Sequence, residues 1–210
     1  MGTRERRANE KQIRLDQILN AARSLLFSEG ITNISISKIA AQAELGVGTI
    51  YFYFTNKEEI FIALQEEGLS LFYSIIRAIH RKPVKSDEKL NLIAKEFYRF
   101  TQEHKDYYDI INYFLSSSRE FFQPDLKNQI DMSGSKILSL IEKIVQSGIA
   151  DHTFQKDDAG KFAIFFFSSL FGLMQMKKLE KTALASERHM DIYEYSVKKL
   201  IHGLKQTTCL

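Results

Sequence analysis

The chain has 210 residues and a formal net charge of +3, and its 44% hydrophobic and 26% charged residues exclude a disordered or fibrous protein. Ten glycines and two prolines leave few breaks, so long helices are expected and an all-β sandwich is not. The single cysteine, Cys209, cannot form an intramolecular disulfide, which excludes a secreted disulfide scaffold.

The excess positive charge lies at the start of the chain. Residues 1–57 hold eight Lys or Arg and five Asp or Glu, a balance of +3, so the remaining residues are neutral overall. A basic N-terminal module is typical of a protein that binds nucleic acid. A solvated tail accounts for Arg4 to Lys11 equally well.

No segment predicts export or membrane insertion. The N-terminal residues carry charges with no apolar stretch behind them, so no signal peptide is expected. The longest stretch without a charge, Phe162 to Met176, is 15 residues long, whereas a bilayer span needs about 20 mostly apolar residues. We expect this stretch to form a buried helix, and the protein to be cytoplasmic and not bound to a membrane.

Two helices are predicted at the start of the chain. Apolar residues recur at helical spacing from Leu15 to Leu26 and predict a first helix over about 10–29, with Gly30 as its stop. Ser35 is a suitable N-cap for a short second helix. The alternation of apolar and polar residues over 34–36 leaves a strand conceivable there.

A glycine-containing turn over 45–48 separates the second helix from a third, aromatic-rich one over 49–54. Asn56 followed three residues later by Glu59 resembles a capping box and starts a long fourth helix, which Pro83 ends.

The rest of the chain predicts further helices, so the fold class is all-α with about nine helices. Gly68 inside the fourth helix is expected to mark a soft point. Apolar faces and helix-starting residues place the later helices at about 86–100, 107–115, 124–148, 162–179 and 190–204.

The second and third helices have the layout of a helix-turn-helix unit, in which the second helix of the pair enters the major groove of DNA. Ile39 can pack against Ile50 between them. Thr49, Tyr51 and Tyr53 then lie at the surface, where each can donate a hydrogen bond to phosphate. Core packing is the alternative for the aromatic residues. However, Tyr51, Phe52 and Tyr53 are consecutive and cannot all face inward on one helical turn.

The segments 37–43 and 48–60 resemble the signature of the tetracycline-repressor (TetR) family of bacterial regulators, through an Ile-Ala pair, the pattern Gly-Thr-x-Tyr-x-Tyr-Phe and a following lysine. The resemblance implies a repressor that binds a palindromic operator as a homodimer and is released by a small apolar or aromatic effector. It implies a DNA-binding domain over 1–66 and an effector-binding and dimerisation domain over 67–210, sharing the fourth helix from near residue 56.

The resemblance also implies which residues contact the operator. Ser37 and Lys38 lie on the crossing helix, the third helix is the recognition helix, and Lys57 holds the DNA backbone. The expected DNA-binding residues are Ser37, Lys38, Val47, Gly48, Thr49, Tyr51, Phe52, Tyr53 and Lys57.

Three positions depart from the family pattern. Gly46 replaces the usual small hydroxyl or alanine and weakens the helix cap. Val47 occupies a position that is often polar, and Phe52 stands where His is common. We predict that Val47 and Phe52 contact thymine methyl groups.

The second half of the chain is rich in aromatic residues, which favours an apolar or aromatic effector because large pockets are lined by such side chains. Effectors of similar regulators include drugs, dyes, flavonoids and fatty acyl thioesters, so the resemblance leaves the effector open. The expected pocket residues are Phe97, Phe100, Tyr113, Phe114, Phe166 and Met174.

The last helix carries an apolar stripe that we expect to form the dimer interface, as part of a four-helix bundle between subunits. The alternative is packing within one subunit. The stripe is formed by Met190, Tyr193, Val197, Leu200, Ile201 and Leu204.

Other classes of function have little support. The five histidines include no pair at the three- or four-residue spacing of a helical metal site, and no Gly-x-Ser-x-Gly motif is present. We therefore expect no catalytic site, no cofactor and no metal. A helical ligand-binding or membrane-surface protein with a vestigial DNA-binding head remains the competing interpretation.

Overall fold

The structure, a computed structural model, describes residues 3–116, 124–177 and 188–205. Over these ranges it contains helices and no strand, which confirms the all-α class and shows that the strand alternative at 34–36 is wrong. A single-turn 3-10 helix, Ile31–Asn33, was not predicted. The α-helices are α1 Thr3–Glu29, α2 Ile36–Gln42, α3 Val47–Tyr53, α4 Lys57–His80, α5 Ser86–Glu103, α6 Lys105–Ser116, α7 Pro124–Ala150, α8 Ala159–Met176 and α9 His189–Leu204.

The chain divides into two compact units. The first unit comprises Met1–Leu69 and Glu103–Ile130, and the second unit comprises Ser70–Gln102 and Asp131–Leu210. The predicted boundary after residue 66 lies close to the first division, and α4 contributes to both units. The prediction placed α6 in the second domain, whereas the structure places it in the first unit because Ile110 is fully buried in the core there.

The core of the first unit joins α1, α2, α3, α4 and α6. Apolar side chains at helical spacing on each element meet in one cluster, as the hydrophobic periodicity requires. Its fully buried members are Ile18, Ala22, Ile39, Ile50, Ile60, Leu64 and Ile110.

Two predicted helix caps are confirmed. Ser35 Oγ accepts a hydrogen bond of 3.3 Å from the backbone N–H of Lys38 at the start of α2. Asn56 Oδ1 accepts one of 2.9 Å from Glu59 N–H, and Glu59 Oε2 in turn accepts one of 2.7 Å from the backbone N–H of Thr55. Because Glu59 accepts from Thr55 and not from Asn56, the arrangement departs from a capping box by one residue, but both bonds still hold the start of α4.

The turn between α2 and α3 depends on Glu44 and not on the glycines that follow it. Glu44 has a φ of +53°, while Gly46 has a φ of −69° that any residue adopts. The backbone N–H groups of Glu44 and Leu45 donate to the carbonyls of Ala41 and Ala40 at 3.2 and 2.9 Å. These two bonds form a Schellman motif, which ends α2 and sends the chain into α3.

Gly68 allows α4 and α6 to approach each other and is not a soft point in α4. A Cβ atom added at Gly68 would lie 2.8 Å from Cβ and 2.9 Å from Cγ of Tyr107. The missing side chain is therefore required by packing inside the first unit.

The second unit has its own core. Phe72, Phe97 and Phe100 pack ring against ring with centroid distances of 5.6 Å for Phe72 to Phe97 and 5.1 Å for Phe72 to Phe100. Phe171 lies 4.8 Å from Phe97 in the same cluster. Tyr193 of α9 is buried, and its hydroxyl donates a hydrogen bond of 2.8 Å to the carbonyl of Ala94 in α5.

The helix α8 is only partly buried, which corrects the prediction of a buried helix. By length and composition alone it could cross a membrane, but 33% of its residues are buried inside the protein. Its exposed apolar side chains are Ile164, Phe165 and Met176, with exposed fractions of 55%, 54% and 41%. These residues lie in the second unit.

Candidate nucleic-acid interface

The short helix α3 is held from one side and exposed on the other. Ile50 is fully buried in the core of the first unit, and Phe54, which follows the helix, is also buried. Val47, Tyr51 and Phe52 face outward, with Phe52 80% exposed. Three large side chains exposed together on one short helix form a patch that can contact another molecule, which a single exposed apolar residue does not.

The remaining α3 residues shape the same surface. Thr49 and Tyr53 are half-buried, and the rings of Phe52 and Tyr53 meet edge to face at 5.1 Å. A Cβ atom at Gly48 would have no neighbour within 4 Å, so the backbone is open to close approach by a partner.

The cap of α3 is made by backbone alone, as the presence of Gly46 predicted. No side chain caps the helix, and the Gly46 carbonyl accepts hydrogen bonds from the N–H groups of Thr49 and Ile50 at 2.9 and 3.3 Å. The first N–H groups of α3 therefore have no side-chain acceptor at this position.

The predicted basic contacts lie beside α2. Ser37 and Lys38 are exposed, but Lys38 Nζ is 2.6 Å from Glu29 Oε2 and 3.0 Å from the carbonyl of Asn33. Lys57 is half-buried, and its Nζ lies 3.4 Å from the carbonyl of Ile34. Both ammonium groups are held against the first unit, so a DNA contact by Lys38 must compete with its ion pair to Glu29.

A polar cluster in the first unit was not predicted from the sequence. Arg23 Nη2 of α1 lies 2.5 Å from Glu67 Oε2 of α4, and the Tyr107 hydroxyl of α6 donates 2.9 Å to the same oxygen. Burial, and then the hydrogen bond to Glu67, raise the pKa of Tyr107 to about 12. No spacing rule links residues on three separate helices, so the sequence carried no signal for this cluster.

The six predicted effector residues fall into two separate groups. Phe97, Phe100, Phe166 and Met174 are buried in the second unit. Tyr113 and Phe114 are half-buried on α6 in the first unit. The prediction assumed that the aromatic residues in the second half of the chain share one core. In the structure α6, which carries Tyr113 and Phe114, packs in the first unit.

The predicted dimer stripe on α9 is mostly interior. Tyr193, Val197, Ile201 and Leu204 are at most 4% exposed inside a single protomer, so these four are core residues rather than a surface for a second copy. Met190 and Leu200 are half-buried. Packing within the subunit therefore accounts for most of the stripe. The sequence could not distinguish the two possibilities, because an apolar stripe at helical spacing is expected both for packing inside a subunit and for packing against a second one.

A groove of about 760 Å³ lies between α8 and α9 in the second unit. Its lining includes the exposed Phe165 and Tyr195, the glycines Gly172 and Gly203, and the charged residues Asp157 and Lys199. None of the six predicted effector residues lines this groove.

Comparisons with known proteins agree with this geometry. The profile of the bacterial regulatory proteins of the tetR family matches residues 18–64, which contain α2, α3 and the start of α4. The fatty acid metabolism regulator protein of Bacillus subtilis is 30% identical over 143 residues, which cover 67% of this chain and 70% of that protein.

Solved structures share the fold. The fatty acid degradation regulator FadR from Bacillus halodurans has a TM-score of 0.72 at 22% identity, covering 92% of this chain and 97% of that chain. FadR from Bacillus subtilis in complex with stearoyl-CoA has a TM-score of 0.69 at 23% identity, covering 90% and 98%. The helix-turn-helix geometry, the profile match and the Bacillus subtilis relative together show that this chain belongs to the TetR family of bacterial transcriptional regulators.

Proposed function

We propose that this regulator is a repressor, without catalytic activity, that acts in the cytoplasm. It binds a palindromic operator as a homodimer and leaves it when an apolar effector binds. The observation that carries the proposal is the outward face of α3, where Val47, Tyr51 and Phe52 are exposed while Ile50 anchors the helix from behind. Apolar side chains in this position can contact thymine methyl groups, and tyrosine hydroxyls can donate to phosphate.

The DNA contact is tested with an operator selected from random duplexes. Phe52→Ala is expected to weaken operator binding about tenfold, since removing an exposed phenylalanine from water on binding contributes up to about 1.5–3 kcal/mol. Phe27→Ala is the matched control because Phe27 is 79% exposed on α1, and it should leave affinity unchanged. Replacing the contacted thymines by uracil should reproduce the loss.

The outcomes separate the two interpretations of the head. Equal affinity for thymine and uracil duplexes would overturn the methyl contacts of Val47 and Phe52. Failure to select any duplex, together with retained effector binding, would favour a ligand-binding protein with a vestigial head.

The homodimer is proposed to form through the α8–α9 groove. The exposed Phe165 and Tyr195 provide apolar surface, and a two-fold contact brings the same patch of both subunits together. Asp157 and Lys199 give that patch both signs of charge, so each could face the opposite charge of the partner across a two-fold contact.

Phe165→Asp is expected to shift the protein from dimer to monomer in sedimentation experiments. Met132→Asp is the control, because Met132 is 59% exposed on α7 and lies outside the groove. Deleting α9 is a poor test, since Tyr193 and Val197 belong to the core of the protomer. A Phe165→Asp protein that remains a dimer would contradict the assignment.

The effector is proposed to be a long-chain fatty acyl thioester of coenzyme A. Relatives from Bacillus subtilis and Bacillus halodurans are named as regulators of fatty acid metabolism or degradation, and FadR from Bacillus subtilis was solved with stearoyl-CoA. The aromatic cluster of Phe72, Phe97, Phe100 and Phe171 in the second unit supplies the apolar surroundings that an acyl chain needs.

Release requires that the effector bind the form unable to hold DNA more tightly than the form on the operator. Stearoyl-CoA added to the operator complex should release the protein, whereas free coenzyme A should not. No release by acyl-CoA of any chain length would overturn this effector assignment and leave the DNA-binding proposal standing.

A further inference from the structure

The helix α1 extends well beyond the core that holds it. Every residue from 5 to 14 is exposed, and the first buried residue of the helix is Ile18. Within this extension the described side-chain bonds are local, Gln12 to Asp16 at 2.8 Å and Arg14 to Gln17 at 2.9 Å. A polar helix without a packing partner is only marginally stable on its own. The extension therefore contributes no residues to the core and leaves its side chains accessible to another molecule.

The extension is basic on one face. Arg7, Lys11 and Arg14 are spaced by four and three residues and therefore lie on one side of the helix. We call these three residues the basic stripe. Glu10 lies at the edge of the stripe, while Glu5 and Asp16 lie on the far side of the helix.

The basic stripe continues the face that packs into the core. Ile18, Ala22 and Leu25 follow Arg14 at steps of four, four and three residues, and all three are buried. The same side of α1 thus changes from apolar to cationic where the helix leaves the core. The basic stripe consequently lies on the side of α1 that faces the other helices of the first unit.

Two contacts fix the direction of the extension. Gln17 Nε2 donates a hydrogen bond of 2.6 Å to the carbonyl of Ala43 at the end of α2. Glu29 accepts a hydrogen bond from Lys38 near the beginning of α2. The helices α1 and α2 are therefore antiparallel, and α1 projects past the turn at Glu44 that leads into α3. At 1.5 Å per residue, residues 5–17 span about 18 Å, the length of roughly five base pairs.

We infer that the basic stripe binds DNA phosphates beside the half-site contacted by α3. This inference rests on the proposed operator binding. The extension leaves the core at the end of the head where α3 begins, and arginine and lysine side chains are complementary to the phosphate backbone. Such contacts add affinity without reading sequence, because phosphates are the same in every duplex.

The test uses the full-length protein and the triple variant Arg7→Gln, Lys11→Gln and Arg14→Gln. Operator affinity is measured across a range of salt concentrations. Removing one ion pair with a phosphate lowers the slope of log affinity against log salt by about one, so a dimer with two extensions should show a decrease of up to about six. Preference for the operator over random duplex should remain, and duplexes trimmed next to the half-site should bind the wild type less tightly without affecting the variant.

The matched control removes three exposed lysines from the second unit by Lys82→Gln, Lys95→Gln and Lys156→Gln, which changes net charge equally. Circular dichroism confirms that both variants are folded. An unchanged salt slope in the stripe variant would overturn the inference.

A stripe variant that keeps its operator affinity but loses binding to vesicles of anionic phospholipid would assign the stripe to a membrane surface and also overturn it. Wild-type protein that binds no duplex would instead refute the proposed function.

Discussion

The hydroxyl of Tyr107 donates a hydrogen bond of 2.9 Å to Oε2 of Glu67, which joins α6 to α4 inside the first unit. Arg23 of α1 reaches the same oxygen, and its guanidinium carbon lies 5.5 Å from the centre of the Tyr107 ring. One carboxylate oxygen therefore ties three helices of the head together. Charge-assisted hydrogen bonds of this kind are stronger than neutral ones.

Tyr107→Phe removes one of these bonds and should lower the free energy of unfolding by about 1 kcal/mol at neutral pH. Tyr51→Phe is the control, because Tyr51 is 55% exposed in the same unit and should have no effect. Urea denaturation measures both. Equal stability of Tyr107→Phe and wild type would show that the bond to Glu67 makes no net contribution.

The difference in stability between wild type and Tyr107→Phe should depend on pH in the alkaline range. An unfolded tyrosine loses its proton near pH 10.0, whereas burial and the bond to Glu67 raise the pKa of Tyr107 to about 12. The stability supplied by the protonated hydroxyl is therefore complete below pH 10 and is lost as the pH rises toward 12. The gap between wild type and Tyr107→Phe should narrow over that interval; a gap that stays constant would contradict the assignment.

Gly68→Ala should destabilise the head by roughly 1–3 kcal/mol, although alanine is the better helix former. The new Cβ atom would stand 2.8 Å from Cβ of Tyr107, so α4 and α6 must separate. Gly134→Ala in α7 is the control, since nothing lies within 4 Å of that position, and it should stabilise the protein slightly. Thermal midpoints of the two variants should move in opposite directions.

Glu44→Gly should stabilise the turn between α2 and α3 by up to about 1 kcal/mol, because glycine adopts a positive φ without strain. Glu44 has a φ of +53° and an exposed side chain. Glu44→Ala also removes the carboxylate but keeps a Cβ atom, so it should give no such gain. If both variants behaved alike in chemical denaturation, backbone strain at Glu44 would not be the reason.

Asp87→Asn should destabilise the second unit by about 1 kcal/mol at neutral pH. Lys205 Nζ lies 2.6 Å from Asp87 Oδ2, and this bond lowers the pKa of the Asp87 carboxyl below its usual value of 3.8. A lowered pKa stabilises the fold above about pH 4, and that stability is lost as the pH falls through the pKa of the folded state.

The difference between Asp87→Asn and wild type should accordingly disappear in acid. Lys205→Gln removes the other partner of the ion pair, and the double variant should lose no more than either single one. Additive losses would show that the two side chains act independently.

Local features of the head were readable from the sequence, whereas longer-range assignments were not. Ser35 and Asn56 predicted their helix starts because a cap depends on residues only three positions apart. The apolar residues over 107–115 predicted a helix but not which unit α6 would pack in. The apolar stripe on α9 indicated that Tyr193 is covered by another helix. It did not show that this helix is α5 of the same chain.

Glu44 illustrates a different limit. Glycine is the usual residue at positive φ, so Gly46 and Gly48 drew attention to the wrong positions in the turn. The hydrogen bonds of Leu45 to Ala40 and of Glu44 to Ala41 determine the geometry, and these follow from the structure alone.

The outward face of α3 is proposed to read duplex DNA, and the proposals of operator binding, repression and phosphate contacts by the basic stripe depend on it. It is tested most directly by equilibrium binding of the wild type and of Phe52→Ala to a duplex selected from a random pool, with Phe27→Ala as control. We expect saturable, salt-dependent and sequence-specific binding by the wild type and by Phe27→Ala, with affinity reduced about tenfold in Phe52→Ala. Identical binding by all three proteins, or no selected duplex even at low salt, would refute the proposal.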